Sequence, residues 1–213
     1  SEEEKAVALK TAVRKGNDLE PLIINKAMHI FNQEIIKPKD MYEFKDAPYM
    51  RINFDGVLND SKQYIPCEIK VATKAGQRHY NPGKAIYSEL FGWRNFPENV
   101  SNTNNDVAVK AGFYGIPPYY YTQVQVEIAA LNAPYGYPAC MFDTDWIVHI
   151  FMIYADPTVQ HAIMLNAYKA WTKVEALRAK KGWTDAPMKS LIKQLIESKS
   201  TAKLMPSGLV QAQ

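Results

Sequence analysis

Cysteine is scarce in this sequence of 213 residues, which contains only Cys67 and Cys140. The two are not spaced as a metal-binding pair, and an iron–sulfur cluster normally requires four ligands. We therefore expect neither kind of centre, and we interpret both cysteines as buried thiols in a reducing compartment.

Long apolar runs are also missing, since no stretch of the sequence approaches the length of a membrane span. The first residues lack the pattern of a signal peptide. Charge is nearly balanced, with 25 Lys and Arg against 22 Asp and Glu, a net charge of +3. This balance permits a nucleic-acid partner without arguing for one. We expect a cytoplasmic protein with no membrane partner.

What the sequence does contain is enough apolar material for a folded core, with 47% hydrophobic and 12% aromatic residues. The length suits a single domain, predicted over 1–213, with a C-terminal helical extension at about 183–213. Helical periodicity and punctuation predict helices over 1–14, 19–31, 119–131, 158–180 and 188–203, with a break at 16–18. An apolar run over 146–154 predicts a core strand.

The most informative stretch runs from Arg51 to Val71 and reads as a β-hairpin with a polar turn at 59–62. Asp55 precedes the turn, and Glu68 and Lys70 follow it on one face, because side chains alternate along a strand. Two carboxylates and a lysine on one face are costly to bury, and a divalent cation such as Mg²⁺ relieves that cost. The alternative is a solvated charge pair without catalytic meaning.

Two further segments carry candidate binding residues. Basic side chains alternate with aromatic ones over 74–94, which suits phosphate contact and base stacking, or equally an amphipathic helix over 84–91. The predicted helix over 119–131 carries Gln123 and Gln125. A glutamine here is usually exposed, and a buried one must satisfy its amide.

Four motif blocks occur in a fixed order: Gly16-x-x-x-Glu20, Phe54-Asp55-Gly56, Glu68-Ile69-Lys70 and Pro117-Pro118-Tyr119-Tyr120-Tyr121-Thr122-Gln123-Val124-Gln125. Over about 14–179 the chain resembles the YqaJ-like viral recombinase family, the family of the bacteriophage lambda exonuclease, within the PD-(D/E)xK nucleases. The resemblance implies an α/β fold with a restriction-endonuclease-like core, a mixed central β-sheet flanked by helices on both faces.

The resemblance also implies residue roles. Metal ligands would be Asp55, Glu68, the main-chain carbonyl of Ile69 and Glu20, holding two Mg²⁺ ions for which Mn²⁺ can substitute. Lys70 would contact the attacking water or the scissile phosphate, and Gln123 would orient Lys70 or the substrate. Candidate DNA-binding residues are Tyr120, Arg51, Lys74, Arg78, Lys84 and Arg94.

The implied function is 5′-to-3′ resection of one strand of linear double-stranded DNA for recombination. The implied setting is a phage-encoded ring-shaped homo-oligomer with a single-strand annealing protein as partner. An endonuclease of the same fold and a catalytically inert DNA-binding or assembly protein are the alternatives. The sequence departs from the family pattern at Phe54, where proline is common, and at Val71-Ala72, where Cys-Pro is common. It also has few residues in the segment upstream of Glu20 that holds the 5′-phosphate in the family.

Overall fold

A computed structural model of the chain describes residues 2–60, 63–94, 114–180 and 209–211. Its helices are α1 (Glu2–Phe31), α2 (Lys74–Gln77), α3 (Pro118–Leu131) and α4 (Pro157–Lys180), with a 3₁₀ turn at Pro82–Lys84. Its strands are β1 (Ile35–Ile36), β2 (Tyr42–Phe44), β3 (Ala47–Ile52), β4 (Val57–Asp60), β5 (Gln63–Ala72), β6 (Tyr87–Ser88), β7 (Gly92–Trp93), β8 (Tyr135–Phe142), β9 (Val148–Ile150), β10 (Ile153–Tyr154) and β11 (Leu209–Gln211).

Eight of these strands form one mixed sheet in the order β1-β4-β5-β8-β9-β6-β7, with β10 joined to β8. The central strands β5 and β8 run parallel, with Lys70 opposite Cys140, and the neighbouring pairs are antiparallel. A separate three-stranded sheet has the order β11-β2-β3. The predicted α/β class with a mixed central sheet is therefore confirmed.

Helices α1 and α3 lie on opposite faces of the central sheet. Tyr137 on β8 packs its ring against Phe31 of α1, with ring centroids 4.8 Å apart. The preceding residue, Gly136, faces α3 so closely that an added Cβ would lie 3.1 Å from Val124 Cγ1. Side chains alternate between the faces of a strand, so β8 is covered on both sides.

The predicted hairpin is present as β4 and β5, which pair from Val57 opposite Pro66 to Asp60 opposite Gln63. Its first strand is shorter than expected, because β3 belongs to the smaller sheet and the chain crosses between the sheets over 53–56. Phe54 stabilises this crossing segment, because its ring is buried in a second core cluster together with Phe44 and Met164. Asp55 consequently lies where the two sheets meet.

The predicted helix break at 16–18 is wrong, since α1 continues through Gly16 and contains Pro21 in its interior. A glycine costs about 1 kcal/mol in a helix and an internal proline about 3 kcal/mol. Tertiary contacts outweigh these costs: Ile23 and Ala27 are fully buried, and Lys15 Nζ lies 2.7 Å from Asp143 Oδ2. Local propensity alone could not reveal this packing.

The other expectations are met in part. Helices α3 and α4 match their predicted ranges, whereas the predicted strand over 146–154 is divided into β9 and β10. The segment 84–91 contains the last residue of the 3₁₀ turn and the first strand of the β6–β7 hairpin, so the amphipathic helix considered for this segment is not formed. The helix predicted over 188–203 lies outside the described residues, and Leu209–Gln211 forms a strand against β2 rather than a helical extension. Within the described residues, no helix is both long and apolar enough to cross a membrane.

Candidate active site

Asp55 is held at the edge of β5 by the backbone around it. A Cβ on the next residue, Gly56, would lie 2.5 Å from Ile35 Cγ2, so the glycine permits β1 to close over this turn. Asp55 Oδ2 accepts a hydrogen bond from the Ile69 backbone N–H at 3.1 Å. The N–H and C=O of a strand residue leave on the same side. The Ile69 carbonyl therefore faces the same edge as the Asp55 carboxylate.

Glu68 and Lys70 project from the same face of β5 and complete a charged triad with Asp55. Lys70 Nζ forms an ion pair with Glu68 Oε1 and lies 3.4 Å from Asp55 Oδ2. The Glu68 residue is only 1% exposed, so its carboxylate depends on protein groups such as Lys70 to balance its charge. The structure thus brings together the three residues on which the catalytic interpretation depends.

A fourth titratable residue, Glu127 of α3, was not assigned to the site from the sequence. It is 2% exposed, and its carboxyl group interacts with that of Glu68. Its position was visible in the sequence, because it lies on the apolar stripe of the helix, four residues after Gln123. A glutamate on a buried helical stripe requires a polar partner, and that requirement was the missed signal.

Burial and mutual repulsion set the protonation states of Glu127 and Glu68. Burial raises the pKa of Glu127 well above its usual range, and the neighbouring Glu68 raises it further. Burial also raises the pKa of Glu68, whereas its contacts with Glu127 and Lys70 act in the opposite direction. These directions favour a protonated Glu127 that stabilises an ionised Glu68.

Burial lowers the pKa of Lys70, but the Glu68 and Asp55 carboxylates outweigh it, so the net shift is upward. Lys70 is therefore a stable ammonium ion at neutral pH. The ring of Tyr120 lies beside it, with Lys70 Nζ 5.3 Å from the ring centroid, a cation–π contact. Burial raises the pKa of Tyr120 to about 12, so its hydroxyl stays neutral.

Gln123 approaches the triad indirectly. Its Nε2 donates a hydrogen bond to Glu127 Oε1 at 3.3 Å, and the rest of its side chain is exposed. Its described hydrogen bond is thus to Glu127 and not to Lys70. The predicted orientation of Lys70 or the substrate by Gln123 stays a prediction.

Gln125 points away from the site and is fully buried, contrary to the usual exposure of a glutamine in such a helix. Its Nε2 donates to the Tyr154 carbonyl at 2.7 Å. Its Oε1 accepts from the Asp156 N–H and from Gln160 Nε2, each at 3.0 Å. Both ends of the Gln125 amide therefore have hydrogen-bond partners within the fold, and the role of this residue is structural.

Glu20 lies on α1 and pairs with Lys37 Nζ. Within the described part of the chain, it has no hydrogen bond or ion pair with Asp55, Glu68 or Lys70. The described residues also contain no group of three or more His, Cys, Asp or Glu side chains placed to hold a metal ion. The metal-ligand role of Glu20 stays a prediction.

Within the described residues, none of the candidate DNA-binding cations has a hydrogen bond or ion pair with the triad. Arg51 lies on β3 of the smaller sheet, with Nε 3.7 Å from Glu43 Oε2. Lys74 and Lys84 are exposed. Arg94 donates to the Gly83 carbonyl at 2.7 Å and stacks on a phenylalanine ring. Arg78, also exposed, has its Nε 3.2 Å from Nε2 of the adjacent histidine. Of the proposed contacts, only Tyr120 adjoins Lys70 directly.

Comparison of the sequence with protein-family models gives no match, and comparison with curated proteins gives none either. Any functional conclusion therefore depends on the site geometry and on the ordered motif residues.

Proposed function

We propose that this chain is a metal-dependent deoxyribonuclease with a restriction-endonuclease-like core. The observation that carries the proposal is the contact of one ammonium group, Lys70 Nζ, with both Asp55 and Glu68. Burying a carboxylate as deeply as that of Glu68 is costly to the fold even when it is paired. Such a cost is expected where chemistry requires the group.

The oxygen atoms around Lys70 suit a hard divalent cation. Asp55 and Glu68 both contact Lys70, and the Ile69 carbonyl leaves β5 on the side of Asp55. Mg²⁺ commonly uses one or two protein carboxylates, with water and substrate phosphate as its other ligands. The absence of a three-carboxylate cluster in the described residues is compatible with that mode. When bound, Mg²⁺ would supply electrostatic stabilisation of the phosphate charge. Glu20 would join only if its pair with Lys37 opened.

The protein groups would then have distinct tasks. Lys70, kept charged by its neighbours, would contact the attacking water or a phosphate oxygen. Protonated Glu127 would hold the Glu68 carboxyl group in position, and Gln123 would orient Glu127 in turn. Proton placement and preorganised charge of this kind commonly contribute a factor of about 10² or more in rate.

The substrate assignment is linear double-stranded DNA, with 5′-to-3′ resection of one strand for recombination. It is supported by the four motif blocks and their resemblance to the YqaJ-like recombinases. A ring-shaped homo-oligomer and an annealing partner belong to the same proposal.

The test is digestion of linear duplexes with a 5′-phosphate or a 5′-hydroxyl, and of a covalently closed circle. Reactions contain Mg²⁺, Mn²⁺, Ca²⁺ or excess chelator. We expect cleavage with Mg²⁺ and Mn²⁺, and binding without efficient turnover with Ca²⁺, which is larger and more loosely coordinated. Lys70→Ala should lower the rate at least about 10²-fold and leave DNA binding nearly unchanged. Lys173→Ala, on the exposed surface of α4, is the matched control.

Two outcomes would contradict the proposal. A Lys70→Ala variant that cuts at near wild-type rate would contradict the assignment of the active site. Robust cutting in chelator would contradict the proposed metal dependence. Equal cutting of the closed circle and the linear duplexes would select the endonuclease alternative.

A further inference from the structure

Three tyrosine rings form a continuous surface beside Lys70, which we name the tyrosine shelf: Tyr119, Tyr120 and Tyr80. The ring centroids of Tyr119 and Tyr120 are 4.3 Å apart, and those of Tyr120 and Tyr80 are 6.3 Å apart. Tyr80 also contacts Phe151 at 6.1 Å, which anchors the shelf in the hydrophobic core.

The outer ring of the shelf is unusually placed. Neighbouring residues on a helix normally point in different directions, yet Tyr119 lies against Tyr120 in the first turn of α3. Pro117 and Pro118 precede it and restrict the backbone there. Tyr119 nevertheless remains 61% exposed. A largely exposed aromatic side chain thus packs against Tyr120, whose own ring adjoins Lys70.

We propose that Tyr119 stacks on a nucleobase at a single-stranded DNA end whose backbone phosphate reaches Lys70. This inference rests on the proposed nuclease function and adds the path of the substrate strand. The separations of 4.3 and 5.3 Å place the Tyr119 ring within about 10 Å of Lys70 Nζ. That span is no more than about three nucleotide steps at 3.4 Å each.

The positions of the two groups suit this partner. The Lys70 ammonium, which pairs with Asp55 and Glu68, marks where a backbone phosphate would lie at the inner end of the shelf, and Tyr119 offers an exposed ring at its outer end. Single-strand binding sites combine these two elements, since every base has a face that can stack whatever its sequence. In a duplex only the terminal base pair has an open face, whereas each unpaired base of a frayed or resected end can stack on an aromatic ring, so the shelf favours such an end.

The test measures binding without cleavage, in chelator, on the full chain. The probe is a duplex with a three-nucleotide single-stranded end that carries 2-aminopurine, whose fluorescence falls when it stacks. We compare the wild type with Tyr119→Ala, Tyr119→Phe and Tyr64→Ala. Tyr64 is the matched control, because it is 55% exposed on the opposite end of β5 from Lys70.

Tyr119→Ala should weaken binding of the single-stranded end about tenfold and abolish the quenching, while Tyr119→Phe keeps both. Tyr64→Ala should behave as wild type. The inference is overturned if Tyr119→Ala binds and quenches like Tyr64→Ala, or if no quenching occurs at any probe position. Tighter binding of the same end made as RNA would overturn the assignment to DNA. Cleavage is not needed for these measurements, so a protein that quenches but never cuts would refute the nuclease proposal alone.

Discussion

The buried amide of Gln125 gives a sharp test of the packing between α3 and α4. Removing it in Gln125→Ala would leave the Tyr154 carbonyl, the Asp156 N–H and the Gln160 amide without their partner. Each buried polar group left unpaired costs about 1–3 kcal/mol, and the lost volume adds to this cost. Because such costs are not additive, we expect a loss of about 3–5 kcal/mol in the free energy of unfolding.

The loss should spread to the start of α4. Asp156 caps that helix through its Oδ1, which accepts the N–H groups of Thr158 and Val159 at 3.1 Å each. The Asp156 N–H donates a hydrogen bond to Gln125 Oε1, so removing the Gln125 side chain should weaken this helix cap as well. Native proteins have free energies of unfolding of about 5–15 kcal/mol, so the predicted loss is a large share of the total stability.

The assay is urea unfolding followed by circular dichroism. Urea slopes of about 1–3 kcal/mol/M imply that the Gln125→Ala midpoint falls by at least about 1 M. Gln125→Leu, which roughly keeps the volume, should still be clearly destabilised. Gln123→Ala loses one 3.3 Å hydrogen bond to Glu127 from an otherwise exposed residue and should cost about 1 kcal/mol, clearly less than Gln125→Ala. Equal stabilities of the Gln123→Ala and Gln125→Ala variants would refute the buried network.

Two further predictions concern the surroundings of the triad. The raised pKa of Glu127 means that the folded state holds a proton which the unfolded state releases, so this contribution to stability is present at low pH and declines as pH rises from about 4.5 through the folded pKa. In chelator, urea midpoints should decline more steeply with pH in the wild type than in Glu127→Gln, which keeps only the smaller contribution of Glu68, and parallel profiles would contradict the prediction. Gly56→Ala forces a Cβ against Ile35 and should cost about 1–3 kcal/mol. The same change in an Ile35→Ala background should cost measurably less, and strict additivity in that double-mutant cycle would disprove the close contact.

The sequence by itself determined the parts of the molecule that depend on local pattern. Alternation and a polar turn predicted the β4–β5 hairpin and therefore put Glu68 and Lys70 on one face. Helical periodicity predicted α3 and α4, and the observed helices begin one residue earlier than predicted, at Pro118 and Pro157. Local signals sufficed because strand alternation and helical spacing are set by the backbone geometry of each segment.

Only the tertiary structure decided which distant groups meet. Glu127 became part of the site because α3 lies across β5, and nothing in the local sequence of α3 specified the strand beneath it. Gly16 and Pro21 remained helical because packing of α1 against the sheet outweighed their poor propensity. Gln125 became a core residue because β10 and α4 close over it, supplying three hydrogen-bond partners 29–35 residues away. Burial depends on contacts between segments far apart in the chain, and so the chemistry of a buried polar residue follows from the assembled fold.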